Sequence, residues 1–331
     1  MRTCERLIER ILPGMNTIAK DAKIYVAGHT GLLGSSLACK LRMHGRDNLL
    51  LRTRQEVDLT RDEAVNRLMR SEKPDVVILL AAKVGGIQAN VSDPVGFLVE
   101  NLKINNNVIS SALDAGVQHL IYIGSSCMYP KDFESRLKEE HLLAAPLEPT
   151  NEGYALAKIC GAKLCEYCSR QYGVDYKTLI PCNLYGPGDH FDPGSSHLIA
   201  AIIDKIHRAK AKGEETITIW GDGSAHREFL YVQDLADFIF DCLEFMDKLP
   251  NYLNVGYGQD HTVLEYYSMA AEVMGYEGKF AFDTSRPVGM AAKLLDSSQA
   301  YLYGWNPKTD PREGIRKTYD YYLHREEECV R

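Results

Sequence analysis

Apolar and polar positions along this chain switch between two periods. Lys23-Ile-Tyr-Val-Ala27 is a short, nearly continuous apolar run, the pattern of a strand buried on both faces. Residues 35–44 then carry apolar side chains at helical spacing, and Gly45 ends them. The alternation repeats. Residues 48–52, 75–82, 119–123 and 175–181 read as strands, and 61–71, 94–115 and 153–172 read as helices. Strands alternating with helices at this spacing predict an α/β fold, a Rossmann-type doubly wound parallel sheet. Ligands of such sheets lie beyond the carboxyl ends of the strands. Gly28, Ala82, Ser125 and Cys182 all fall at such ends, so topology alone gathers them.

Beyond residue 186 the pattern loosens. Residues 186–196 are loop-like, 198–212 helical and 216–220 a strand. Short strands at 227–231 and 253–255 flank a helix at 233–248, and the chain from 262 onward reads as mostly helical. The expected organisation is an N-terminal extension over 1–21 and a cofactor-binding Rossmann domain over 22–185 plus about 229–257. A smaller, interleaved substrate lobe takes 186–228 and 258–331.

Composition narrows the class. The 331 residues are 45% apolar, enough for a large core. A net charge of −7 argues against a general nucleic-acid binder and leaves room for a local basic pocket for phosphates. No apolar run approaches the roughly 20 residues that span a bilayer. The first residues lack the uninterrupted apolar stretch of a signal peptide, and Glu5 and Glu9 count against a transit peptide. Nine cysteines, an odd number without a framework, point to a reducing, cytoplasmic setting. Cys165 and Cys168 form the one Cys-x-x-Cys, inside a helix and without a second pair, so no metal site is expected.

Gly28-His29-Thr30-Gly31-Leu32-Leu33-Gly34 lies between the first strand and the first helix. Glycines let the backbone approach a pyrophosphate, and the helix N-terminus supplies N–H groups and partial positive charge. Ala81 and Ala82 close the third strand on the same side. An NAD site usually carries an acidic residue at the end of the second strand. Here the segment reads Leu51-Arg-Thr-Arg54, so Arg52 or Arg54 would pair with the 2′-phosphate of NADP, and Asp58 and Leu59 would flank the adenine.

Tyr154 and Lys158, four residues apart, share one helix face. An ammonium beside a phenol lowers its pKa, which suits a tyrosine that protonates a carbonyl oxygen as hydride arrives. Ser125, at the end of the fourth strand, would hold the same oxygen. Serine, tyrosine and lysine together make a reductase site for a ketone or alcohol.

These motifs resemble the extended short-chain dehydrogenase/reductases, and the GDP-L-fucose synthase family in particular. The likeness runs from about residue 22 to 325. It rests on the glycine loop, Leu51 to Arg54, Ala81-Ala-Lys-Val-Gly-Gly86, Gly124-Ser-Ser-Cys127, Leu147-Glu-Pro-Thr-Asn-Glu152, Tyr154 with Lys158, Asn183-Leu-Tyr-Gly-Pro187, Ser196-His197, and Trp220 followed by Arg227-Glu-Phe229. The resemblance implies NADPH-dependent conversion of GDP-4-keto-6-deoxy-D-mannose to GDP-L-fucose, with inversion at C3 and C5 before reduction at C4. It implies that Cys127 and His197 are the base and acid of inversion. It places Asn183 against cofactor and sugar, and Lys83, Lys205, Trp220, Arg227 and Lys293 with His197 around the sugar nucleotide. It further implies a homodimer built on helices near 94–115 and 153–172.

Three stretches differ from the family's pattern. Thr30 stands where many relatives carry a basic residue, which leaves the 2′-phosphate to Arg54. Val288 stands where relatives usually show Asp, and Ala291-Ala292 where they often show Pro-Arg. A related nucleotide-sugar 4-ketoreductase with weak or no epimerase activity is the alternative reading.

Overall fold

The computed structural model describes residues 17–131, 136–192, 196–285 and 292–328. In chain order, the first half contains β1 (Ile24–Ala27), α1 (Leu32–Met43), β2 (Leu49–Leu50), α2 (Asp62–Glu72), β3 (Val76–Leu79), α3 (Ile87–Ser92), α4 (Pro94–Asp114), β4 (His119–Ile123), α5 (Glu152–Tyr172) and β5 (Asp175–Pro181). The second half contains β6 (Asn183–Tyr185), α6 (Leu198–Lys212), β7 (Thr216–Trp220), β8 (His226–Arg227), β9 (Phe229–Tyr231), α7 (Val232–Cys242) and β10 (Tyr252–Val255). It continues with β11 (His261–Thr262), α8 (Val263–Met274), β12 (Lys279–Asp283), α9 (Ser298–Leu302) and α10 (Pro311–Glu328).

Six strands form one sheet in the order β10-β5-β4-β3-β1-β2. Every neighbouring pair is parallel. This is the doubly wound sheet that the alternation predicts. β1 and β3 are buried along their whole length, which is why they read as continuous apolar runs. α4 and α5 pack against each other on one face, and the buried Asn105 amide donates to the Ala157 carbonyl across that contact at 2.8 Å. The contact fixes α5, and with it Tyr154 and Lys158, against the sheet.

A second core lies outside the sheet. Ile199, Ile202, Ile203 and Ile206 of α6 pack there with Ile217, Phe229, Tyr266 and Tyr322. Leu295, Ala300 and Trp305 instead join the sheet's own core, so the last part of the chain returns to it.

Four departures from the expected elements bear most on the fold. α1 starts at Leu32 rather than 35, so the end of the glycine loop is its first turn. β2 is only two residues long. There the Glu56 carboxylate accepts from both the Thr53 N–H and hydroxyl, turning the chain off the sheet. α3 was not anticipated. Residues 279–283 form a strand within the region expected to be helical, paired in parallel with β7 from Thr216↔Lys279 to Trp220↔Asp283. The Gly275 C-cap of α8 ends the helical period, and Phe280 and Phe282 alternate with Lys279, Ala281 and Asp283 as a strand requires.

Candidate active site

The glycine loop makes a cradle. Gly28 has φ 95°, and a Cβ there would stand 2.7 Å from the Ala81 nitrogen. A Cβ on Gly34 would run into the Gly28 carbonyl. A side chain at 28 would push the loop off the end of β3, and one at 34 would push α1 off the loop. Gly31 is exposed, and the nearest atom to its added Cβ is 3.5 Å away. α1 begins there without a side-chain cap, so its leading N–H groups carry the helix's partial positive charge into the space before the loop. A pyrophosphate fits that space. His29 lies in the same loop, its Nδ1 buried without a hydrogen-bond partner among the described residues and burial holding its imidazole below the usual histidine range. Leu33 is buried beneath the loop and Leu32 packs against the core.

The two arginine candidates separate. Arg52 turns to Glu72 at 3.2 Å. The Arg54 side chain is 75% exposed and stands 3.6 Å from Glu100, leaving it for a 2′-phosphate. Glu56 is taken up by Thr53. The Asp58 carboxylate accepts from the Thr60 N–H and hydroxyl, which hold it below the usual range, and the Leu59 carbonyl accepts from Asn107.

The chemistry gathers where β4 ends. Ser125 follows Ile123 and Gly124, and its Oγ accepts from the Cys127 N–H at 3.2 Å and hydrogen-bonds Tyr154. The Lys158 ammonium is buried, donates to the Ile123 carbonyl at 2.8 Å, and lies 5.9 Å from the Tyr154 ring centre. One expectation is corrected here. Burial pushes the Tyr154 phenol up, with Cys127 adding to the rise and the Ser125 hydrogen bond opposing it. Burial pulls Lys158 down to about 7, with Cys127 opposing. The loss of solvation of two buried groups outweighs their mutual attraction, and the ammonium is spent on a main-chain carbonyl.

Cys127 sits beside this pair, half-buried, with the Asn151 Nδ2 3.2 Å from its sulfur. Arg227 is held below the usual guanidinium range by burial, while the Glu148 carboxylate and the Cys127 sulfur pull the other way. His197 stands at the head of α6, its Nδ1 3.7 Å from an oxygen of the buried Asp189. Asn183 begins β6 and donates to the Glu228 carbonyl at 3.0 Å. Glu228 is buried, and its carboxylate accepts from the Gly258 and Leu295 N–H groups at 2.7 and 3.0 Å. Burial raises it to about 7. It thereby pins the segment that carries Lys293, which is half-buried two residues before Leu295.

Trp220 is 56% exposed, with the Lys205 ammonium 5.3 Å over its ring and donating to the Thr218 carbonyl. A core-packing role for Trp220 is thus excluded. Lys83 already has partners. Its ammonium donates to Asp93 at 2.8 Å and Glu100 at 2.7 Å, which hold it above the usual range. Two carboxylates compete there with any phosphate. Val288 and Ala291 lie outside the described residues, and Ala292 is exposed.

Sequence reasoning missed the neighbours of these residues. Asn151, Asp189, Glu228 and Glu100 each stand in or near a motif already singled out, but only packing shows which partner each one faces. Among the described residues, no group of three or more His, Cys, Asp or Glu is placed to hold a metal.

A serine, a tyrosine and a lysine gathered at the carboxyl end of a doubly wound parallel sheet, beside a glycine loop, are the arrangement of a nicotinamide-dependent oxidoreductase of the short-chain type. The model of the NAD dependent epimerase/dehydratase family matches residues 24–256. GDP-L-fucose synthase 1 of Arabidopsis thaliana is 47% identical over 306 residues, 92% of this chain and 94% of that one. GDP-L-colitose synthase of Yersinia pseudotuberculosis is 45% identical, covering 91% of this chain and 98% of that one. A GDP-6-OMe-4-keto-L-xylo-heptose reductase from C. jejuni superposes with a TM-score of 0.88 at 34% identity, over 94% of this chain and 100% of that one. The chain belongs to the NAD dependent epimerase/dehydratase family and, within it, to the GDP-L-fucose synthase family.

Proposed function

We propose that this chain converts GDP-4-keto-6-deoxy-D-mannose to GDP-L-fucose, inverting C3 and C5 and then reducing the C4 ketone. The observation that carries the proposal is the position of Cys127. Its backbone is tied to Ser125 and its sulfur to Asn151, beside the Tyr154 that would protonate the ketone oxygen. C3 and C5 are both α to the C4 carbonyl. Cys127 removes the proton, and the enolate charge gathers on the C4 oxygen, where the Ser125 and Tyr154 hydroxyls meet it. His197 returns a proton to the opposite face, and exchange with solvent resets both residues before the second inversion. NADPH, when bound, supplies the hydride for C4. Tyr154 then passes its proton to the C4 oxygen, with Lys158 supporting the phenolate. Arg227, Lys205 and Lys293 balance the diphosphate charge, and Trp220 offers a flat face.

The test is turnover of GDP-4-keto-6-deoxy-D-mannose with NADPH in deuterium oxide, followed by product stereochemistry. Deuterium at C3 and C5 with L-configured product is expected. The likeness to a heptose reductase favours one second reading, a 4-ketoreductase for another GDP-sugar, and product without deuterium at either carbon selects it.

Arg54 supports the preference for NADPH. Arg54→Ala is expected to weaken NADPH by roughly 10- to 100-fold, the worth of one charge-assisted hydrogen bond, with NADH little changed. Equal losses for both dinucleotides would contradict the 2′-phosphate role.

The homodimer rests on exposed apolar residues on three neighbouring helices. Val91 of α3, Val95 and Val99 of α4, and Leu156 of α5 face outward, with Val95 70% exposed. Sedimentation of Val95→Asp should give monomer where the unaltered chain gives dimer. The cysteine pattern, and the absence of a helix long and apolar enough to cross a membrane among the described residues, support a cytoplasmic setting.

A further inference from the structure

The geometry points to Asn151 as the positioning residue that holds Cys127 in its proton-accepting form. The inference rests on the proposed role of Cys127 as base. Asn151 occupies the N-cap of α5, where asparagine normally accepts a hydrogen bond from the first turn. Here its side chain makes no such bond. It turns instead to Cys127, with Nδ2 3.2 Å from the sulfur. Its Oδ1 is buried and has no hydrogen-bond partner among the described residues. A 21-residue helix thus begins without its side-chain cap, and the amide faces the site.

The chemistry of the amide explains the exchange. An amide nitrogen carries two donors and no acceptor, so it has nothing to offer a thiol hydrogen. It meets only sulfur lone pairs, and these accept best when the sulfur is anionic. The head of α5 adds its partial positive charge to the same place. Lys158, Arg227 and Tyr154 feel the Cys127 sulfur, and Glu152 stands in the first turn of α5. The two cations act in the same direction as Asn151, and Tyr154 stays neutral. When the sulfur takes a proton from the carbon beside the ketone, the thiol forms and the electron pair moves onto the ketone oxygen. The amide–sulfur bond then weakens, which favours return of the thiol proton to solvent.

Asparagine and aspartate have the same shape and cap helices equally well, but aspartate sets anionic oxygens against the sulfur. Alkylation by iodoacetamide, followed peptide by peptide in the ligand-free protein, reads the sulfur directly. The exposed Cys39 serves as the internal reference. Asn151→Ala should slow alkylation of Cys127 about tenfold, the worth of a hydrogen bond to a charged group. Asn151→Asp should slow it further, with an unchanged melting temperature and an unchanged rate at Cys39. Solvent deuterium entry at C3 and C5 should fall in the same order. The inference is overturned if Asn151→Asp is alkylated at Cys127 as fast as the unaltered protein, or if Asn151→Ala changes nothing. If the alkylation order holds but the unaltered enzyme never exchanges deuterium, the Asn151–sulfur contact stands and the base role of Cys127 falls.

Discussion

Tyr154→Phe loses ketone reduction by about two to four orders of magnitude, the range of a positioned general acid, while NADPH binding by fluorescence titration moves by less than about threefold. The change removes one hydroxyl and nothing else. The ring keeps its edge-on contact with Phe97, 6.4 Å between centres, and α5 keeps its packing on α4. Lys158 keeps its bond to the Ile123 carbonyl. What disappears is the proton that must reach the ketone oxygen. Burial pushes the Tyr154 phenol up, so the residue carries its proton across the neutral range. Reduction that survives to within roughly tenfold of the unaltered rate would mean that another group protonates the oxygen.

Cys127→Ala separates the two halves of the reaction. Solvent deuterium at C3 and C5 is expected to fall by about 100-fold or more, as for loss of a general base. Reduction of a ketone already inverted at both centres should continue. Ser125, Tyr154 and Lys158 hold their places without the sulfur, because the bond from residue 127 to the Ser125 hydroxyl comes from its main-chain N–H. Deuterium entry that persists in this variant would remove Cys127 from the mechanism, whatever happened to reduction.

Much of this site was legible before any coordinates. The glycine loop, Ser125 and the Tyr154–Lys158 pair are short-range patterns, and the alternation of strands and helices brings them to one edge of the sheet. The same reading stopped short where an outcome depended on distant atoms. Lys83 follows the third strand, and only the fold shows that Asp93 at the N-cap of α4 and Glu100 on α4 take its ammonium. Arg52 and Arg54 are equivalent as letters, and only their partners and exposure tell them apart, Arg52 held closer to Glu72 and Arg54 more open beside Glu100. The strand at 279–283 carries its own period of two, but its partner is more than 60 residues away on β7.

By itself the sequence determined the parallel sheet, the end of it that binds ligands, and the residue types able to cradle a dinucleotide and protonate a ketone. These follow from local period, glycine placement and i,i+4 spacing, all of which act over a few residues. Only the tertiary structure decided the protonation chemistry. Spacing sets an ammonium next to a phenol, but burial of both groups sends Tyr154 up and Lys158 down. Solvation lost on packing is a property of the whole fold, and it outweighs one pairwise attraction. The same packing turned an ordinary helix cap, Asn151, onto the sulfur of Cys127.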